Sequence, residues 1–222
     1  KSASLLFTIV DKWKSETGVV PARTILQKVA VELIEKTDKQ LSNIPILRFH
    51  YGQTLAVRYE ESQVATYPPL ELSSHQIKVL QELIKEYDKK LTTYAKRKQY
   101  EKEGMEFYFE KEYVLLEGFT QKGNKKIEES LLKLCILYPI ELKNSFPLFD
   151  KFVYCATNLL NLKEGEVKKD YVNKIKEIFS LLWDTITTEY FFYDSEKYIL
   201  PEKKELFNQI RSNTLNPKLS GL

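Results

Sequence analysis

Glycine is scarce in this 222-residue chain, with only seven residues, and that scarcity removes much phosphate chemistry at the outset. A loop that cradles phosphate needs glycines so that backbone N–H groups can close on the anion. Neither the Gly-x-Gly-x-x-Gly nor the Gly-x-x-x-x-Gly-Lys-Ser/Thr pattern occurs. The Gly-x-Ser-x-Gly nucleophile elbow is missing too. Histidine and cysteine number two each: His50, His75, Cys135 and Cys155. A closed zinc site needs four such ligands at short spacing, so no metal site and no cofactor is expected. Both cysteines lie in apolar helical runs and are read as reduced core residues rather than as nucleophiles or a disulfide. No uncharged stretch approaches the roughly 18 apolar residues of a membrane helix, and no signal peptide pattern opens the sequence. The expectation is a cytoplasmic protein with no membrane contact. An excess of one charge is also lacking. There are 34 basic and 31 acidic residues, a net +3, which falls short of a typical nucleic-acid-binding domain. Only a locally sorted patch would serve that purpose.

What is present points to helix. The hydrophobic fraction of 43% suits a globular chain, and Lys and Glu, both good helix formers, dominate the polar positions. Leu5, Leu6, Ile9, Val10 and Trp13 share one face of a first helix, which Gly18 breaks. Pro21 suits the first turn of a second helix, running to about Lys39 with Ile25, Leu26, Val29, Leu33 and Ile34 on one side. This pair is compatible with a helix-turn-helix and equally with a plain αα-hairpin. Over 44–68, β-branched and aromatic residues partly alternate around Gly52-Gln53, which predicts a small hairpin or wing. Ser73 is a good N-cap for a third helix carrying Ile77, Leu80, Leu83, Ile84, Tyr87, Leu91 and Tyr94. The aromatic run from Glu106 to Phe119 reads as a second β-hairpin or strand, with a helix as the alternative. Gly123-Asn124 marks a loop, and the domain boundary is placed there, giving domains 1–120 and 121–222. Helices follow at about 126–138, 146–161 and 166–193. Pro201 opens a short last helix, and the tail after Ser212 is expected to be loose.

Candidate chemistry is thin. Glu-x-Lys pairs of the kind nucleases use occur at Glu141/Lys143, Glu166/Lys168 and Glu202/Lys204, but a chain this rich in both residues produces them by chance. No catalytic residue is assigned. Two segments stand out as binding candidates. The first is basic: Lys89, Lys90, Lys96, Arg97, Lys98 and Lys102, interleaved with Tyr94 and Tyr100, would neutralise phosphates and stack bases. Its plain alternative is a helix whose basic end opposes the helix dipole. The second is aromatic: Tyr190, Phe191, Phe192 and Tyr193 cannot all face one core from one helix, so some must meet another element or a partner.

The N-terminal residues Leu5-Leu6, Arg23-Thr24, Leu26-Gln27-Lys28 and Phe49-His50-Tyr51-Gly52 resemble the SocA/Panacea family of antitoxin-like domains. Gln53 stands where that family has proline, and Thr54-Leu55 also depart from its pattern. The likeness covers at most residues 4–95. It implies a helical domain that neutralises a toxin or serves as an adaptor through protein contacts, without catalysis.

The expected architecture is therefore mainly α, with a helix-turn-helix-like N-terminal region, a small β-element and a C-terminal helical bundle. The expected function is a non-catalytic protein-interaction module, either antitoxin-like or an accessory subunit of a bacterial defence or mobile-element complex. Its partner would be a protein, a toxin or a larger complex, and self-association is left open. The alternative is a nucleic-acid-binding component that uses the basic helix over 89–102.

Overall fold

Why the chain breaks into helices where it does follows largely from caps and apolar stripes. The computed structural model describes residues 1–37, 41–57, 67–113, 124–160 and 169–221. It divides into two units, Lys1–Gln99 and Tyr100–Leu222. The fold is mainly α, with a two-stranded antiparallel sheet among the described residues.

In the first unit, α1 (Ser2–Thr17) ends at Gly18, whose φ of 79° lets its N–H return to the Lys14 carbonyl at 2.9 Å. Helix α2 (Arg23–Lys36) starts two residues beyond Pro21. Strands β1 (Ile46–Phe49) and β2 (Gly52–Leu55) form a hairpin that turns at His50-Tyr51, with Gly52-Gln53, the expected turn, paired in β2 and Gly52 at φ 82° opposite Phe49. The rest of the β-rich stretch, 58–66, lies outside the described residues. Helix α3 (Ser74–Tyr87) opens on a reciprocal cap. The Ser73 hydroxyl accepts from the Gln76 N–H, and the Gln76 side chain accepts from the Ser73 N–H. Leu5, Leu6, Ile9 and Trp13 of α1, Leu26, Val29 and Leu33 of α2, and Leu80, Leu83 and Ile84 of α3 form one core.

The third helix is not continuous to Tyr94 as its stripe suggests. It stops at Tyr87, Asp88 is extended, and Lys89 takes a left-handed φ of 59°. The chain resumes in α4 (Thr92–Tyr100). Leu91, counted in the apolar stripe, is 74% exposed. With no apolar anchor there, the turn is free to break.

The second unit starts well ahead of the boundary placed near residue 120. The aromatic run that reads as a strand is in fact helix α5 (Glu106–Tyr113), and residues 114–123 lie outside the described residues. Phe107 and Tyr108 are adjacent on the same helix, and both insert into the second core. Phe107 lies 5.5 Å and Tyr108 5.1 Å from the Trp183 ring, centroid to centroid. That packing assigns α5 to the second unit.

Helices α6 (Asn124–Ile136), α7 (Phe146–Leu160) and α8 (Lys169–Glu196) complete the bundle. Phe149, Phe152, Phe179, Leu182 and Ile186 lie at its centre. A short 3₁₀ turn (Pro201–Lys203) leads into α9 (Lys204–Ser220). The tail is thus helical, not loose: Leu215 is buried, and Lys218 pairs with Asp184 of α8. Cysteine placement also differs from expectation. Cys135 is only partly buried and Cys155 is exposed on α7. The stripe of α7 runs through Phe149, Phe152, Val153 and Ala156, which leaves Cys155 on the outer side.

The Ser73 cap generates a direct check. Ser73→Ala should lower stability by about 1 kcal/mol, while Ser74→Ala, one residue inside the helix, should stay within about 0.5 kcal/mol of the parent. Urea unfolding of both variants measures the difference.

Candidate functional site

Two charged residues one turn apart on α2, Lys28 and Glu32, are 2% and 3% exposed. A buried charge is tolerated only when its hydrogen-bonding capacity is filled. The Lys28 ammonium donates to the Tyr51 carbonyl, to the Gln53 carbonyl at 2.8 Å and to the Gln99 side-chain oxygen at 2.5 Å. Beside it, the Gln27 amide donates to the Val57 carbonyl at 2.8 Å and accepts from the Leu55 N–H at 2.9 Å. The Gln27-Lys28 pair therefore clamps the hairpin from its turn to its exit. It binds the two segments, Leu26-Gln27-Lys28 and Phe49-His50-Tyr51-Gly52, to each other.

Glu32 faces the other way. It accepts from the Tyr87 hydroxyl, from Lys98 at 2.9 Å and from Lys36 at 3.3 Å. Lys98 also reaches Glu86 at 2.5 Å, and the Tyr94 hydroxyl donates to Glu86 at 3.0 Å. Burial and the Glu32 carboxylate push the Tyr87 hydroxyl far above its ordinary range. Burial alone would raise the Glu86 carboxyl, but hydrogen bonds from Lys98 and Tyr94 and the Lys98 charge hold it below its ordinary value. Burial likewise opposes the Lys98 charge, and the two carboxylates overcome it and raise the ammonium.

This network decides what the basic segment can offer. Lys98 is held between two carboxylates, and Lys96 lies over the Tyr51 ring at 3.9 Å. Lys90 sits 5.3 Å from the Tyr94 ring. Lys89 occupies the left-handed turn, Arg97 is exposed, and Lys102 falls in the second unit, partly buried. The six cations thus do not form one outward row: two of them spend their charge on the fold of the first unit.

The aromatic segment is likewise partly absorbed. Tyr190 is buried in the second core, its ring 6.3 Å from Tyr108 and its hydroxyl 3.3 Å from Glu141. Phe192 is buried 5.7 Å from Phe207 of α9. The additional element that such a run demands is thus a helix of the same chain. Phe191 is half-buried, and Tyr193 is partly exposed, with Lys197 5.3 Å from its ring. A partner contact at Phe192 would have to displace α9.

The two most exposed large apolar side chains among the described residues lie on α6 and the turn after it. Leu132 is 51% exposed, Ile136 83%, Leu137 36% and Ile140 89%. The inward residues of the same segment are Leu131, Leu134 and Tyr138, all buried. The signal for the outer set was legible in the sequence all the same: a helix with apolar residues left over after its core face is assigned has a second apolar face.

That turn is firmly held. The buried Glu189 carboxylate of α8 accepts from the N–H groups of Asn144 and Ser145 at 2.9 and 2.8 Å and from the Asn144 amide at 2.6 Å. It also accepts from the Ser145 hydroxyl at 2.5 Å, and Tyr138 lies 2.6 Å from the same hydroxyl. A carboxylate at these N–H groups also suits the start of α7, where the helix dipole favours negative charge. Ile140 is therefore displayed on an anchored turn. Elsewhere, α7 exposes Phe146 and Tyr154, α8 exposes Ile178 and Leu181, and α9 exposes Leu206 and Ile210, each less than Ile136 and Ile140.

Among the described residues, no three His, Cys, Asp or Glu side chains come together as a metal site would need. No described helix is long and apolar enough to cross a membrane.

Both networks give measurable consequences. The Glu86–Lys98 pair contributes fully between the lowered carboxyl and the raised ammonium. Its contribution falls as pH drops through the Glu86 value and falls again as pH rises through the Lys98 value. Lys98→Met should cost about 1–3 kcal/mol at neutral pH by leaving buried Glu32 short of a donor. The gap to the parent should narrow as pH falls through the lowered Glu86 value, where the Glu86–Lys98 pair is lost. Urea unfolding across pH reads both effects. Glu189→Gln turns an amide N–H toward N–H donors and should destabilise by about 1–3 kcal/mol, measured in the same way.

No family model matches the chain, and no curated protein and no solved structure is significantly similar to it.

Proposed function

We propose that the chain is a non-catalytic protein-interaction module, antitoxin-like or an accessory subunit of a larger bacterial complex, whose contact face is α6 with the turn that follows. The observation that carries this is the exposure of Ile136 and Ile140 at 83% and 89%, beside Leu132 and Leu137. Single exposed apolar residues are ordinary; several on one element, held on a rigid turn, are the usual mark of a contact surface. The resemblance of the N-terminal segments to antitoxin-like domains favours the same class. The clamp from Gln27 and Lys28 gives those segments a structural task, holding the hairpin on α2.

Nucleic-acid binding through 89–102 is the weaker reading, because Lys98 is bound by Glu32 and Glu86 and Lys96 lies against Tyr51. Phosphate binding needs cations free to replace counterions.

The test is purification from the native host on a mild affinity tag. The parent should retain a stoichiometric polypeptide and show a protein-like 260/280 nm ratio. The Ile136→Ser/Ile140→Ser variant should lose that polypeptide while keeping the parent's circular dichroism and melting temperature, since neither side chain is in the core. A high ratio that falls on a salt wash, together with partner retention by the variant, would overturn the proposal in favour of nucleic-acid binding.

A further inference from the structure

We infer that the polar cavity between α9 and Asn144 is a binding site for a small carboxylate with an adjoining peptide group, an N-acyl amino acid or short peptide. The cavity measures about 230 Å³ and is lined by Asn144, Asn208, Arg211, Ser212, Leu215 and Asn216. That is far more than the roughly 10–15 Å³ that seats one water. It is less than the roughly 300–1,000 Å³ of a site for a drug-sized apolar ligand. A small polar molecule fits it best.

The side of α9 that borders the cavity is polar where a helix docked for stability alone would be aliphatic. Leu206 and Ile210 are exposed, while Asn208, Arg211, Ser212 and Asn216 line the cavity beside the buried Leu215. Among the described residues, none hydrogen-bonds the side chains of these four polar residues. The Arg211 guanidinium lies 3.7 Å from Glu196, an ion pair beyond hydrogen-bond length, so its fork of N–H groups is left for a ligand. Asn144 differs: its amide nitrogen is committed to Glu189 at 2.6 Å, which leaves its oxygen to accept.

These groups select the ligand. A planar guanidinium matches a carboxylate through two parallel hydrogen bonds. The Glu196 charge beside Arg211 weakens the field offered to a dianion, so a single negative charge suits the site better than a phosphate. Asn and Ser side chains offer donors and acceptors together. A bare anion leaves the acceptors unused, whereas a peptide group fills both with its N–H and C=O. The spacing agrees. Asn208, Ser212 and Asn216 rise about 6 Å per step along the helix, and an extended peptide repeats the orientation of its groups about every 6.6–6.8 Å. A dipeptide thus spans one step of the row while its carboxylate takes Arg211.

Titration of the full chain with N-acetyl-diglycine, followed by side-chain amide and guanidinium signals in heteronuclear NMR spectra, tests the site. The signals of Asn208, Arg211 and Asn216 should move saturably, with a dissociation constant at or below about 1 mM. The C-terminal amide of the same probe should bind at least about tenfold more weakly, having lost the charge that Arg211 reads. Acetate should bind at least about threefold more weakly, since it leaves the amide row unpaired. Inorganic phosphate at equal concentration should not displace the probe. Arg211→Gln should weaken the probe at least about tenfold, and Arg211→Lys, which keeps the charge but not the fork, should fall between. Arg211 is half-buried, so the exposed pair Asn208→Ala/Asn216→Ala serves as a second variant. It should weaken the probe about three- to tenfold and leave acetate binding and the melting temperature unchanged.

The absence of a saturable shift at about 10 mM probe would overturn the inference. So would equal binding of acetate or of the C-terminal amide, or displacement by phosphate. None of these measurements involves a host partner, so their outcome is independent of the α6 contact.

Discussion

The first unit depends on the burial of two opposite charges one turn apart on a single helix. Lys28 and Glu32 project from α2 into surroundings where neither would survive alone, and each recruits a different part of the chain to satisfy it. Lys28 takes two carbonyls of the hairpin and the side chain of Gln99. Glu32 takes Tyr87 from α3 and Lys98 from α4. The hairpin, α3 and α4 therefore converge on α2 through polar contacts, in addition to the apolar stripe of Leu26, Val29 and Leu33. Buried ion pairs seldom add much net stability, but removing one partner is costly. Their consequence here is specificity of arrangement: the hairpin and α4 must both be in place before Lys28 is satisfied, and α3 and α4 before Glu32 is.

The same network limits function. A cation that anchors a buried carboxylate is a poor phosphate ligand, because releasing it would leave that carboxylate short of a donor. Lys98 is in this position, and so the row of positive residues in the sequence does not become a row on the surface. The second unit shows the complementary case. There the buried carboxylate, Glu189, holds Asn144 and Ser145 at the start of α7, and Ile140 stands exposed in the segment before them. Polar groups are spent on holding the scaffold, and exposed aliphatic side chains are left facing solvent.

Much of this fold was legible in the sequence. The stripes of α1, α2 and α3, the Ser73 cap, the Gly18 stop and the hairpin over 46–55 all follow from local pattern and turn chemistry. Failures came where tertiary packing overrode local preference. Phe107, Phe109 and Tyr113 alternate as a strand would, yet the segment is helical, because Phe107 and Tyr108 fit against Trp183 from a helix. The break after Tyr87 was hidden by an apolar stripe that runs on through Leu91, which is exposed. The tail after Ser212 looked polar because only Leu215 anchors it. The candidate surfaces divided in the same way. The Tyr190–Tyr193 run did signal a contact with a further element, but that element is α9. Leu132, Ile136 and Ile140 were visible as apolar residues surplus to the core face of α6.

The central claim is that the contact surface is α6 with its following turn and that neither the basic helix nor the aromatic run takes part. Backbone hydrogen exchange of the full chain, recorded at low and high concentration and again with any polypeptide retained from the host, tests it most directly. Slowed exchange confined to residues 129–143, with 89–102 and 190–193 unchanged, is the predicted result. Slowing over 89–102 or 190–193, with 129–143 unaffected, would contradict the account.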